Sequence, residues 1–288
     1  ISRGLVGSEM CIRDSIYGVP LLKSNDSGKT FFDIGASNVH VDHHDLWINP
    51  KDNNHLVLGN DGGVNISYDQ GDNWIKLNQP SVGQFYSINV DNSEPYNVYG
   101  GLQDNGVWMA SNQSFESPYW YESGHNNWTK IMGGDGMQIQ IDKRNNNIVY
   151  TGLQFGNYYR LDLENESRKN IKPRHKLGQS PLRFNWQTPI LISKHNQDII
   201  YFGSNKLHRS LDKGNNWDEI SDDLTNGGLK GNVPYGTITT FDESTHEFGK
   251  IVVGTDDGNI ILTQDSGTNW KQINNCLLYT SPSPRDLW

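Results

Sequence analysis

Cysteine is nearly missing from this chain of 288 residues: there are two, Cys11 and Cys276, one near each end. Residues 16–275 contain none, which excludes a disulfide scaffold, a zinc-thiolate site and a cysteine nucleophile there. Long apolar runs are also lacking. Nothing approaches the roughly 20 consecutive residues a helix needs to cross a bilayer, so no membrane insertion is expected. Positive charge is scarce, with 24 Lys and Arg against 33 Asp and Glu and a net charge of −9. An acidic surface repels phosphate backbones, and no nucleic-acid partner is expected. Heptads and long helical periodicities are absent. What is present is 30 Gly and 11% aromatic residues within a composition only 34% hydrophobic. Many short strands joined by tight polar turns produce that profile, whereas a disordered chain would not carry 9 Trp and 13 Tyr.

The two ends, residues 1–15 and 276–288, share no pattern with the rest, but they do with each other. DNA that encodes MCIRDS (10–15) on one strand encodes CLLYT (276–280) on the other, in a different frame. GLVGSE (4–9) and SPSPRD (281–286) pair in the same way. Both ends resemble translated transposase adapters from sequencing libraries and are set aside from fold reasoning as artefact. Residues 16–275 are then expected to be an internal fragment of a longer protein.

A repeat governs that stretch. A short β-branched or aromatic run ending in Gly recurs at Gly59, Gly100, Gly152, Gly203 and Gly254, with an earlier IYG at Gly18. The spacings run from 41 to 52 residues, about the period of a four-stranded propeller blade. Four polar turns follow in register and fit one formula, S/T-x-D-x-G-x-x-W/F. They comprise Ser24, Asp26, Gly28 and Phe31; Ser67, Asp69, Gly71 and Trp74; Ser210, Asp212, Gly214 and Trp217; and Thr263, Asp265, Gly267 and Trp270. An Asp side chain accepts hydrogen bonds from N–H groups of its own loop, and Gly supplies a left-handed position. The terminal ring buries apolar surface between neighbouring sheets. These Asp residues are therefore expected to be structural and not catalytic. The spacing predicts an all-β chain: one incomplete β-propeller of four-stranded blades with Asp-box turns, about five full blades plus a partial one at 16–34. Full blades are expected to begin near residues 41, 83, 136, 185 and 236. The second and third blades lack the turn formula, with GLQDNGVWMASNQS (101–114) and GNYYRLDLENESRKN (156–170) in its place.

HVDHHDLWINPKDNNHLVLGNDGG (40–63), YNVYGGLQDNG (96–106), RFNWQTPILIS (183–193) and YGTITTFDES (235–244) resemble the sortilin-type Asp-box, or BNR-repeat, propeller family, in its branch of large bacterial exported proteins labelled glycosyl hydrolases. The resemblance covers essentially all of 16–275. It implies a secreted, periplasmic or cell-surface protein with further blades or domains, while the hydrolase label rests on the Asp box itself. The resemblance settles fold better than function.

First strands of propeller blades line the central channel, so polar and aromatic residues at their starts are the candidate ligand site. His40, His43, His44, Gln84, Tyr86, Gln138, Trp186, Gln187 and Thr237 are expected there, with Gln103 from the GLQDNG turn. Strand alternation would put His40, Asp42 and His44 on one face and His43 and Asp45 on the other. The first three could hold a divalent metal, hydrogen-bond backbone and solvent, or touch ligand directly. No other cofactor is expected. Asp42 and Asp135 are the one rim pair that could serve as the two carboxylates of a glycoside hydrolase. Arginines are not placed one per blade, which disfavours a sialidase and leaves a xyloglucanase-like endo-acting enzyme as the catalytic alternative. The favoured expectation is a binding or scaffold module for an extended peptide or glycan.

Overall fold

The computed structural model describes residues 4–7, 14–77, 83–114, 127–228 and 233–273, with the backbone alone at 4–7 and 14–17. Cys11, Cys276 and the terminal segment 276–288 lie outside these residues. Twenty-four strands form six four-stranded antiparallel sheets, each paired in chain order, and no helix occurs among the described residues. Successive four-stranded sheets of this kind are blades of a β-propeller, and the chain is an all-β partial propeller. It divides into two compact units, Ile1–Gln84 and Phe85–Trp288.

The first unit holds two sheets. Sheet 1 comprises β1 (Gly4–Gly7), β2 (Asp14–Tyr17), β3 (Leu21–Ser24) and β4 (Phe32–Asp33). Residues set aside as adapter-derived thus supply β1 and part of β2, since backbone pairing requires no particular side chain. Sheet 2 comprises β5 (His43–Ile48), β6 (Leu56–Asn60), β7 (Gly63–Ser67) and β8 (Ile75–Leu77). Leu21 and Ile34 of sheet 1 bury against Leu46, Leu56, Leu58 and Trp74 of sheet 2.

The second unit holds four. Sheet 3 is β9 (Phe85–Val90), β10 (Asn97–Leu102), β11 (Gly106–Ser111) and β12 (Thr129–Met132). Sheet 4 is β13 (Gln140–Ile141), β14 (Ile148–Leu153), β15 (Asn157–Asp162) and β16 (Ser167–Asn170). Sheet 5 is β17 (Ile190–Ile192), β18 (Ile200–Gly203), β19 (Leu207–Ser210) and β20 (Asp218–Glu219). Sheet 6 is β21 (Ile238–Glu243), β22 (Ile251–Thr255), β23 (Ile260–Thr263) and β24 (Lys271–Gln272). One apolar cluster joins sheets 4 and 5 through Tyr150, Tyr158, Ile190, Ile200 and Phe202, and another joins sheets 5 and 6 through Tyr201, Leu207, Ile238 and Val253. Each large side chain so buried contributes roughly 2–3 kcal/mol.

The four formula turns share one hydrogen-bond pattern. In sheet 5 the Ser210 hydroxyl donates to Asp212 Oδ1 at 2.8 Å and accepts the Gly214 N–H at 2.8 Å. Asp212 accepts the Asn216 N–H at 2.8 Å and its side-chain amide at 2.6 Å, bonds that hold the carboxyl down at about 2. The pattern recurs around Asp26, Asp69 and Asp265. These bonds stabilise two consecutive left-handed residues, Lys213 and Gly214, at φ 61° and 79°. A Cβ on Gly214 would meet Ile171 at 3.0 Å, so the glycine also lets the turn close onto sheet 4.

In three of the four turns the closing ring is Trp and reaches back to the preceding sheet, whereas Phe31, which closes the turn of sheet 1, stays 38% exposed. The indole N–H groups of Trp74, Trp217 and Trp270 donate to the carbonyls of Ile34, Ile171 and Ile220 at 2.8, 2.8 and 3.0 Å. Each acceptor follows the last strand of its sheet and donates its own N–H to the third strand of that sheet. Hydrophobic packing and a directed hydrogen bond thereby fix successive sheets together.

Candidate functional site

In a sheet paired in chain order, the segment entering the first strand lies at the same end as the second-to-third-strand turn. The other two turns occupy the opposite end. In the second unit this rule sorts the side chains into two groups.

At the entry end, the segments entering sheets 4, 5 and 6 are each strapped to a turn of the sheet before. Asp135, ahead of β13, accepts the Asp104 N–H at 2.8 Å and the Gln154 side-chain amide at 3.1 Å. Phe155 donates its N–H to the Trp186 carbonyl at 3.2 Å, and the two rings meet edge to face at 5.1 Å. Asp104 and Phe155 both hold left-handed backbone, φ 59° each, in the GLQDNG and GLQFGN turns. Lys172 supports the second turn by donating to the Phe155 carbonyl at 2.8 Å, with its ammonium 4.6 Å from the Phe184 ring centre. Burial pulls that ammonium below the usual lysine range.

Tyr86, Asp104, Asp135 and Trp186 come together here. Burial pushes the Tyr86 phenol up, the Trp186 indole N–H opposes it, and the carboxylates of Asp135 and Asp104 add to the rise. The hydroxyl is therefore a neutral hydrogen-bonding group at physiological pH. Trp186 keeps 39% of its surface exposed, and Gln187 beside it is exposed, its N–H held by Asn185 Oδ1 at 3.0 Å. The arrangement offers an aromatic face, a phenol and an amide.

Other expected site residues serve the fold. Thr237 is fully buried. It accepts from Asn185 at 3.0 Å, and its hydroxyl and N–H both donate to Asp256, at 2.6 and 2.8 Å. No ligand reaches it, which corrects its expected role. Gln138 spends its side-chain oxygen on the Ile190 N–H at 3.2 Å, tying sheet 4 to sheet 5. Half-buried Gln103 uses its carbonyl to accept the Asn105 N–H at 2.7 Å. Gln154 was missed by the sequence reading, although the repeated GLQ at 101–103 and 152–154 marks it as the counterpart of Gln103.

In the first unit the expected alternation of the HVDHHD segment fails. Asp42 adopts left-handed backbone, φ 61°, so β5 begins only at His43, and a bulge between His43 and Asp45 shifts the register. His43 turns inward and is buried, with Nδ1 unpartnered, and burial lowers its imidazole below the usual range. His44 is exposed and pairs with Asp61, while His40 Nδ1 bonds the Val41 carbonyl at 2.7 Å. His40, Asp42 and His44 are not brought together, and no group of three His, Cys, Asp or Glu among the described residues could hold a metal ion. Gln84 is exposed. Asp42 and Asp135 belong to different units.

No family model and no curated protein matches the chain. Among solved structures it is similar to a GH74 enzyme of Niastella koreensis, at 16% identity and a TM-score of 0.45, over 93% of this chain and 44% of that one. It is likewise similar to the GH74 xyloglucanase from Xanthomonas campestris, at 13% and 0.44, over 92% and 43%. YCF48 bound to D1 peptide is similar at 13% and 0.42, over 91% and 80%. The chain spans less than half the length of either GH74 structure, and its propeller assignment rests on its own six sheets.

Proposed function

We propose that this chain is part of a non-catalytic binding module that holds an extended glycan or peptide across the entry end of the second unit. The reading includes export of the parent protein, as the family resemblance implies. One observation carries it: Trp186 presents an open ring beside the Tyr86 hydroxyl and Gln187, while both oxygens of neighbouring Asp135 are taken by Asp104 and Gln154. A ring face stacks on sugar or peptide planes, and phenol and amide groups set orientation. Hydrolysis of a glycosidic bond needs two carboxylates free to move protons or attack. Asp135 is braced as a strut.

The test is indole fluorescence titration of the chain with neutral polysaccharide fragments and with extended peptides, alongside reducing-end release. The expected result is saturable binding without product, weakened at least tenfold in Trp186→Ala and little changed in Asp135→Asn. Turnover that vanishes in Asp135→Asn with binding retained would replace the binding module by the hydrolase. Binding that is indifferent to Trp186→Ala would move the site elsewhere.

A further inference from the structure

At the opposite end of the second unit, a cavity of about 410 Å³ opens between the outer strands of sheet 4 and the β19–β20 turn of sheet 5. Its lining is unusual for a chain with a net charge of −9: Arg160, Arg168, Lys169 and Lys213 all face it, against a single carboxylate, Asp162. Lys213 is compensated. Its Nζ lies 3.7 Å from both Asp142 and Asp198, carboxylates that also bind Arg144. Arg160, Arg168 and Lys169 form no salt bridge with any described residue.

Neutral partners hold these three cations in place. Arg160 donates to the Lys213 carbonyl at 2.8 Å, which the left-handed backbone of Lys213 turns towards it. Lys169 donates to Asn215 Oδ1 at 2.6 Å, and the Arg168 guanidinium lies 5.8 Å from the Tyr159 ring centre. Asp162 does not neutralise them by contact, because it accepts the N–H groups of Glu164 and Asn165 and the Asn165 side-chain amide. Cations oriented by neutral groups keep donors available for an anion and lose little freedom in binding it. The cavity exceeds the size of a bare anion and falls in the range of small-ligand sites.

We propose that this cleft binds an oxyanion, a sulfate ester or a carboxylate, carried on a ligand of monosaccharide size. The site is separate from the Trp186 group, at the other end of the sheets, and does not depend on it.

Calorimetric titration of the chain at low ionic strength with glucose 6-sulfate, glucuronate and glucose tests this directly. Saturable binding of one or both charged sugars, with none of glucose, is expected, and affinity should fall as salt rises. The stronger of the two identifies the anionic group. Arg168→Gln/Lys169→Gln should lose at least tenfold in affinity while melting as the parent does, because both side chains are exposed. Arg174→Gln/Lys176→Gln, in the exposed segment outside the cavity, should bind as the parent does. Absence of saturable binding to either charged sugar would overturn the proposal. So would equal binding of glucose, or an equal loss in the control variant, which would mark a diffuse charge effect.

Discussion

Sheets 4 and 5 are neighbours with the same strand order, yet they end their third strands differently. Sheet 5 closes with a Ser-braced turn whose Gly214 and Trp217 press onto Ile171 of sheet 4. Sheet 4 closes with Asp162 folding over Glu164 and Asn165, with left-handed Glu166, but without hydroxyl, glycine or ring. The first turn seals the space between the sheets around Ile171 and Trp217. The second makes no such closure, and the cations of β15 and β16 face a cavity. One position in the repeat therefore serves cohesion in one sheet and recognition in the next, according to whether the brace is present.

The sharpest way to break this contrast is Trp217→Ala. Removing a ring that packs on Phe202 and holds the Ile171 carbonyl should cost about 3 kcal/mol in denaturant unfolding. Trp217→Phe, which keeps much of the ring and loses the N–H, should cost about 1 kcal/mol. If the two variants are equal, the cost lies in the inter-sheet hydrogen bond and the ring packing has no net weight. Asp212→Ala should cost about 1–2 kcal/mol by freeing the backbone of its turn. Asp162→Ala should lower the melting temperature less, because its turn carries no indole bonded to a neighbouring sheet. Reversal of that order would undo the distinction between sealing and open turns.

The smallest effect concerns pH. His208 on β19 is buried against Ser204, and burial pulls its imidazole from the usual 6.5 to about 4. The unfolded chain takes up this proton as pH drops below 6.5, whereas the folded chain resists until about 4. The associated stability is complete above 6.5 and is lost as pH falls towards 4. A melting series across that window should slope less in His208→Gln than in the parent, and identical slopes would place the acid sensitivity elsewhere.

Much of the architecture was readable because its signals are local. The Gly-ended runs became the second strands β6, β10, β14, β18 and β22, and the brace residues sit within a few positions of one another. The site was less readable because its determinants are relations between sheets. Thr237 has the composition of a rim residue, but Asp256 of the next turn captures it. His40, Asp42 and His44 alternate on paper, but a left-handed residue and a bulge part them. Trp186 and Tyr86 are named from sequence, but Asp104, which acts on Tyr86, is not, because its role depends on reaching an entering segment 31 positions away. The cations of the outer cleft lie on two strands and a turn of another sheet, a grouping no spacing rule displays.

The indole-to-carbonyl rung has polarity: the later sheet supplies the donor from its braced turn, and the earlier sheet supplies the acceptor after its last strand. Sheet 5 carries both halves, giving Trp217 backwards and the Ile220 carbonyl forwards. A tandem copy of its gene segment would arrive already matched on both sides, so the number of modules can grow or shrink by duplication and deletion without new joints having to be invented.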